Sequence, residues 1–425
     1  METLNTADSA KLRLWNRNFL LLWQGQLVSS LGDTIYAIAL GFWILAVTGS
    51  TALMGILMAA STLPRVLVGL LAGVAVDRSD RKWMLIAMDL IRGVLIVGIG
   101  LAAYRGWIQI WMVFAAGVVL SACSAFFFPA VSSSIPDIVP KEKVVQANSA
   151  FSLIYTGSGI VGNSAGGFLY QTLGAPLMFL LNGISYVISA AAILLIRIPA
   201  IPRPALPQSF GLDFRSGLAF LWRVRGLRYS MGLFSVLNFF SVMGIMLLLP
   251  LFQKTPALGP GLYGLLMAGI MCGAFGGFLL TSFLTVKPAR RFPVFYLCGV
   301  VGMAAFAVLP LVASFPLMLG LGFFFGVTNA VLNALITGVL QITVPAEMRG
   351  KVFSLLGTVS GGLTPIAFAL GGVLGEVIPL RIMIALCFGI TWLFFLPLPL
   401  SPAITRYFNF DPARDRLEAT RQESA

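Results

Sequence analysis

Histidine is absent from all 425 residues. That removes the commonest metal ligand, the one side chain that ordinarily titrates near neutral pH, and any nucleophile activated by imidazole. Cysteine is scarce as well: Cys123, Cys272, Cys298 and Cys387 lie in apolar stretches with no paired spacing, and read as small packing residues with no metal or redox role. Charge is thin, at 10% of residues, and only 15 are acidic. What the chain has instead is apolar mass, 58% of residues with a mean hydropathy of +0.94. No compact soluble globule of this size hides that much apolar side chain, so the bilayer is its solvent.

A span needs about 20 apolar residues to cross roughly 30 Å of hydrocarbon. Twelve stretches qualify: Phe19 to Val47, Ala52 to Val76, Trp83 to Tyr104, Ile108 to Phe128, Val144 to Leu173, Pro176 to Ile196, Tyr229 to Leu251, Tyr263 to Phe283, Phe292 to Pro310, Phe315 to Leu340, Phe353 to Gly375 and Leu380 to Leu400. The first is too long for a signal-peptide core and is read as a retained helix. The expected organisation is an N-terminal segment 1–18, a six-helix bundle 19–196, a linker 197–228, a second six-helix bundle 229–400 and a tail 401–425. The fold class is an all-α membrane protein.

With an N-terminus inside, only Arg105, Lys254 and Arg381 fall in outside loops, while 23 of the 28 basic residues fall in inside segments. The positive-inside rule then puts both termini in the cytoplasm. It also accounts for the basic pI without a nucleic-acid partner, because the charge is spread over seven short segments facing anionic headgroups. In the proline-rich linker, Leu212, Leu218, Phe220 and Leu221 among Asp213, Arg215 and Arg223 suggest either a short amphipathic helix at the headgroups or an ordinary connector.

The halves repeat. Val139-Pro140-Lys-Glu142 leads to Gly166-Gly167, and Val344-Pro345-Ala-Glu347 leads to Gly371-Gly372, all at one offset of 205 residues that also relates Lys82 to Lys287. A common offset near half the chain is what a duplicated six-helix unit predicts.

Between the second and third stretches stands Gly73-Val-Ala-Val-Asp77-Arg78-Ser-Asp80-Arg81-Lys82. It resembles the cytoplasmic loop motif of the major facilitator superfamily of transporters, G-x-x-x-D-R-x-G-R-R/K, with Asp80 in place of the second glycine. Ser158-x-x-x-Gly162-Asn163-x-x-Gly166-Gly167 is similar to the antiporter motif of exporter-type facilitators, with Asn163 where proline is usual. Glycines at this spacing line one helix face and admit a close neighbour. Trp23-Gln24-Gly25-Gln26, Leu63-Pro64-Arg65, Asp89-Leu-Ile-Arg92, Phe128-Pro129-Ala130 and Gly350-Lys351-Val-Phe353-Ser354-Leu355 with Thr364-Pro365 look like the macrolide-efflux branch, which also holds enterobactin-type siderophore exporters. The resemblance implies two six-helix bundles about a central cavity, a bacterial cytoplasmic-membrane location, and export by alternating access with no cofactor beyond an ion gradient.

An ionisable group inside a span is a functional candidate by default. Asp33 lies mid-way along the first stretch and is the expected coupling carboxylate, with Arg65 of the second stretch at similar depth as its partner; a static pair holding two helices together is the alternative. Asp89 and Arg92, one turn apart near the loop motif, are expected to work with it as a gate. The fourth stretch lacks the basic residue that drug/proton facilitators often carry there, so Na⁺ coupling stays open. In the second half, Asn238, Asn329 and Asn333 among phenylalanines suggest a cavity for a bulky, amphipathic, neutral or cationic cargo such as a macrolide-like drug, with a siderophore or a lysophospholipid as alternatives. The expected partners are the lipid bilayer and that cargo; the expected state is a monomer, and no enzymatic activity is expected.

Overall fold

The computed structural model describes residues 14–196, 219, 222, 225–284, 286–344 and 346–411. Among these the chain is almost entirely helical. The long helices are α1 (Arg17–Thr48), α2 (Thr51–Ala60), α3 (Leu63–Arg78), α4 (Arg81–Tyr104), α5 (Ile110–Ile138), α6 (Val144–Leu194) and α7 (Arg225–Met246). They are followed by α8 (Leu248–Lys254), α9 (Pro260–Phe283), α10 (Pro288–Val308), α11 (Phe315–Thr343), α12 (Ala346–Val377), α13 (Leu380–Phe395) and the short α14 (Pro402–Phe408). Eleven helical segments are long and apolar enough to cross a membrane. Helix α6 turns at Gly174, whose φ of 71° is one that glycine adopts freely, and its two arms make the count twelve. The residues of the expected amphipathic linker segment, Leu212 to Arg223, and the tail beyond residue 411 lie largely or wholly outside the described residues, while the start of the tail forms α14.

Helix ends are set by identifiable residues. Asn16 caps α1 by accepting from the Phe19 N–H at 3.0 Å, and Gly49, with φ of 66°, ends it. Asp80, the residue that departs from the loop pattern, caps α4 by accepting from the Trp83 N–H at 3.2 Å. Its φ of −68° is open to any residue, so a glycine is not required there. Asp80→Ala should cost roughly 0.5 to 2 kcal/mol, and Asp80→Gly only a few tenths.

The chain divides into two compact units, 1–49 with 60–206, and 50–59 with 207–425. Helices α2 and α3 together make one apolar segment, broken at Ser61–Thr62. In the second unit Gly55 of α2 meets the backbone of Phe368 and Gly372 on α12. Glu376, near the C-terminal end of α12, is exposed but accepts from the N–H groups of Thr51 at 2.7 Å and Ala52 at 3.1 Å, so it caps α2 from α12. The rest of this unit packs on aromatic rings, Phe306 lying 4.2 Å from Phe325 and 4.3 Å from Phe388, centroid to centroid.

In the first unit α1 runs against both arms of α6. A Cβ on Gly162 would stand 2.7 Å from the Thr34 Cβ, and one on Gly166 would overlap Ile38. The glycine motif is therefore the face on which α1 lies. The same relation recurs in the second unit, where Gly371 packs on Met243. Both members of that pair are displaced by 205 residues from Gly166 and Ile38, so the duplication extends to the packing. Likewise Val139 and Val344 end α5 and α11 in extended conformations, each N–H returning to the residue four before.

Two measurements follow. Gly162→Ala should lower the thermal midpoint of the purified protein by an amount equivalent to about 1 to 3 kcal/mol, because Thr34 must be displaced, whereas Gly157→Ala, with open space around its Cβ position, should leave it unchanged. For the α4 cap, hydrogen exchange in the first turn should quicken in Asp80→Ala and stay near wild type in Asp80→Gly; equal effects would mean the carboxylate is not the cap.

Candidate functional site

The polar groups of the first unit gather in one seam between α1, α4 and the second arm of α6. Small residues let those helices close up: a Cβ on Gly183 would lie 2.6 Å from the Val97 N, and one on Gly32 would lie 2.6 Å from the Ser185 Oγ. On the second arm Asn182, Ser185, Tyr186 and Ser189 recur at helical spacing, all buried. This stripe faces Asp33 of α1 and Asp89 and Arg92 of α4.

Asp33 is half-buried and its Oδ1 accepts the Tyr186 hydroxyl, with the Asn182 amide alongside. Arg92 is 2% exposed and Asp89 fully buried. They form an ion pair from Arg92 Nη2 to Asp89 Oδ1, one helical turn apart. The guanidinium is sandwiched between Phe127 at 4.1 Å and Tyr186 at 4.4 Å from the ring centroids, an arrangement favoured by the quadrupole of each ring. Asp89 and Arg92 lie eight and eleven residues into α4, about 12 and 17 Å along its axis. Both are enclosed by protein at that depth.

The cation electrostatically coupled to Asp33 is thus Arg92, where the sequence pointed to Arg65. The Arg65 side chain is exposed, and its backbone N–H donates to the Ser121 hydroxyl of α5 at 3.1 Å, capping the start of α3. In the loop motif, Arg81 pairs with Asp137 of α5 at 2.6 Å and donates to the Ser133 carbonyl at 3.1 Å. Lys82 donates to the Leu194 carbonyl at the end of α6 at 2.9 Å. These two residues fasten α4 to its own unit. The side chains of Gly73's neighbours Asp77 and Arg78, and the surroundings of Gly73 itself, lie outside the described residues. In the exporter-type motif, Ser158 is buried and Gly166 and Gly167 are covered, while the Asn163 amide donates to the Gly159 carbonyl at 2.7 Å, a bond within its own helix.

Of the amides expected to meet cargo, Asn333 donates to Asn329 Oδ1 at 3.0 Å and is exposed, Asn329 is half-buried, and Asn238 is half-buried on α7. Phe323 and Phe324 are exposed, whereas Phe325 belongs to the core. Asp137, Tyr186, Asn182 and Ser189 were not singled out from sequence. The last three carried a signal in their spacing, a polar stripe along an otherwise apolar stretch. Among the described residues no cluster of acidic or sulfur side chains suits a metal ion.

Residues 22–368 match the sequence model of the Major Facilitator Superfamily. Macrolide efflux protein A of Streptococcus pyogenes is 25% identical over 379 residues, covering 86% of this chain and 91% of that protein. Multidrug efflux pump Tap of Mycobacterium tuberculosis is 25% identical over 375 residues, covering 84% and 87%. Among solved structures, an inward-facing bacterial homologue of the human lysosomal transporter Spinster superposes with a TM-score of 0.64 at 16% identity, over 95% of this chain and 97% of that one. An inward-facing bacterial homologue of the iron transporter ferroportin does so with a TM-score of 0.66 at 16% identity, over 89% and 98%. With twelve apolar crossings, a repeated six-helix unit and a family match over most of its length, this multi-pass membrane protein belongs to the Major Facilitator Superfamily.

Proposed function

We propose that the chain is a secondary-active exporter that expels a bulky amphipathic molecule, of the macrolide-like kind, in exchange for protons. The observation that carries the reading is the half-buried Asp33, held by Tyr186 and facing the buried Arg92. Ionisable groups are costly in hydrocarbon and persist where they carry ions or protons. The second unit has no equivalent set: at the 205-residue offset Asp33, Asp89, Arg92 and Tyr186 correspond to Asn238, Val294, Leu297 and Thr391. Proton chemistry in this reading is confined to the first unit, while Asn238, Asn329 and Asn333 offer neutral hydrogen bonds to cargo. The names of the efflux relatives support outward transport and a macrolide-like cargo.

In this scheme Asp33 binds a proton when the cavity is open outward and gives it up when open inward, and cargo and proton do not occupy the transporter together. Arg92 supplies the attraction that favours the ionised carboxylate, the part first given to Arg65. Gly73, Asp77 and Arg78, at the end of α3, form the cytoplasmic gate, next to the start of α4 that Arg81 and Lys82 anchor. The protein works as a monomer in the bacterial cytoplasmic membrane with both termini inside, and needs no cofactor beyond the proton gradient.

Inside-out vesicles with an acidic lumen should accumulate a labelled macrolide, and a protonophore should abolish the accumulation. Asp33→Asn, inserted at normal levels, should reduce gradient-driven uptake at least about tenfold, a loss of about 1.4 kcal/mol or more of coupling. Uptake indifferent to both the protonophore and the substitution would sink the reading.

A further inference from the structure

Among the described residues, the seam of the first unit holds two carboxylates and one guanidinium. We propose that Asp33 and Asp89 share a single proton, with Arg92 as their common counter-charge, so that the seam stays neutral whichever carboxylate holds the proton; this rests on the proton-coupled reading above.

The charge balance carries the argument. With both carboxylates ionised the seam would bear a net negative charge, with Asp89 fully buried and only neutral polar neighbours, and an uncompensated buried charge is strongly destabilising. One guanidinium balances one carboxylate. The remaining titratable groups turned toward the seam are Tyr36 on α1, Cys123 on α5, Tyr155 on the first arm of α6 and Tyr186 on its second arm. Phenols and thiols are ordinarily neutral at neutral pH, so none supplies a positive charge. The missing charge is a proton, and it belongs to the carboxylate pair rather than to either member.

The hydrogen bonds point the same way. Asp89 Oδ1 is taken by Arg92, but Asp89 Oδ2 is buried without a partner among the described residues. Gln26 Nε2 and Tyr36 Oη, on α1, are also buried and unpartnered among the described residues, while the Asn182 amide stands beside Asp33 and the Ser189 hydroxyl beside Asp89. A seam so supplied with unused donors and acceptors can hold a carboxyl proton on either side of Arg92, and buried polar groups left open in this way are ordinarily met by water. Transfer breaks the O–H bond of one carboxyl and forms that of the other. The guanidinium keeps its charge, and Phe127 and Tyr186 hold its plane while it exchanges one carboxylate for the other.

The test is infrared spectroscopy of the full chain in nanodiscs at neutral pH, without cargo or gradient, reading the carbonyl band of protonated carboxyl groups. The wild type should show one such group per chain. Asp33→Asn and Asp89→Asn, each near-isosteric, should each abolish the band, because the remaining carboxylate then pairs with Arg92. Arg92→Gln should double it, and that variant decides the matter if either Asn variant fails to fold. A band that survives either Asn substitution assigns the proton to one residue and overturns the proposal, as does an undoubled band in Arg92→Gln. Since no transport is read, failure here leaves proton-driven export standing, and gradient-independent export by a protein with the shared band intact overturns only the coupling.

Discussion

A guanidinium inside a bilayer must bring its own counter-charges, because the hydrocarbon offers no hydrogen bonds and no screening. Arg92 meets that demand with Asp89 on its own helix and Asp33 on α1, which like α4 packs on the second arm of α6, and with the faces of Phe127 and Tyr186. The need to bring these groups together explains much of the first unit. Small residues at Gly25, Gly32, Gly93 and Gly183 allow α1, α4 and the second arm of α6 to approach. Serines and an asparagine on that arm line the gap instead of leucines.

The duplication makes the contrast informative. Gly166 on Ile38 and Gly371 on Met243 are the same contact made twice, so the two units share a packing plan. Yet one unit keeps charges in its interior, and the other has Asn238, Val294 and Leu297 at the matching positions. A symmetric scaffold has been given asymmetric chemistry, and the unit without charges packs on a chain of phenylalanine rings.

Much of this was legible in the sequence. Length and hydropathy yield the spans, including the break after Leu173 that Gly174 makes, since both reflect the thickness of the bilayer and the freedom of one glycine. The spacing of Gly162 and Gly166 marks a packing face whatever residue stands between them. Pairing Asp33 with Arg65 failed because depth along a helix says nothing of azimuth, and the break at Ser61–Thr62 interrupts the crossing on which Arg65 lies. Asp80 read as a departure from a pattern, whereas its place before a helix three residues from Trp83 has the form of a cap. The stripe from Asn182 to Ser189 was visible in principle, as polar residues at i, i+3, i+4 and i+7.

The account makes one group, the carboxylate pair around Arg92, the place where cargo and proton compete. The most direct measurement is the proton count on cargo binding: a macrolide shown to bind the purified protein is added in weakly buffered solution and the pH followed. One proton should be released per chain from the wild type, and none from Asp33→Asn. Binding without proton release by the wild type, or equal release by the variant, would contradict the account.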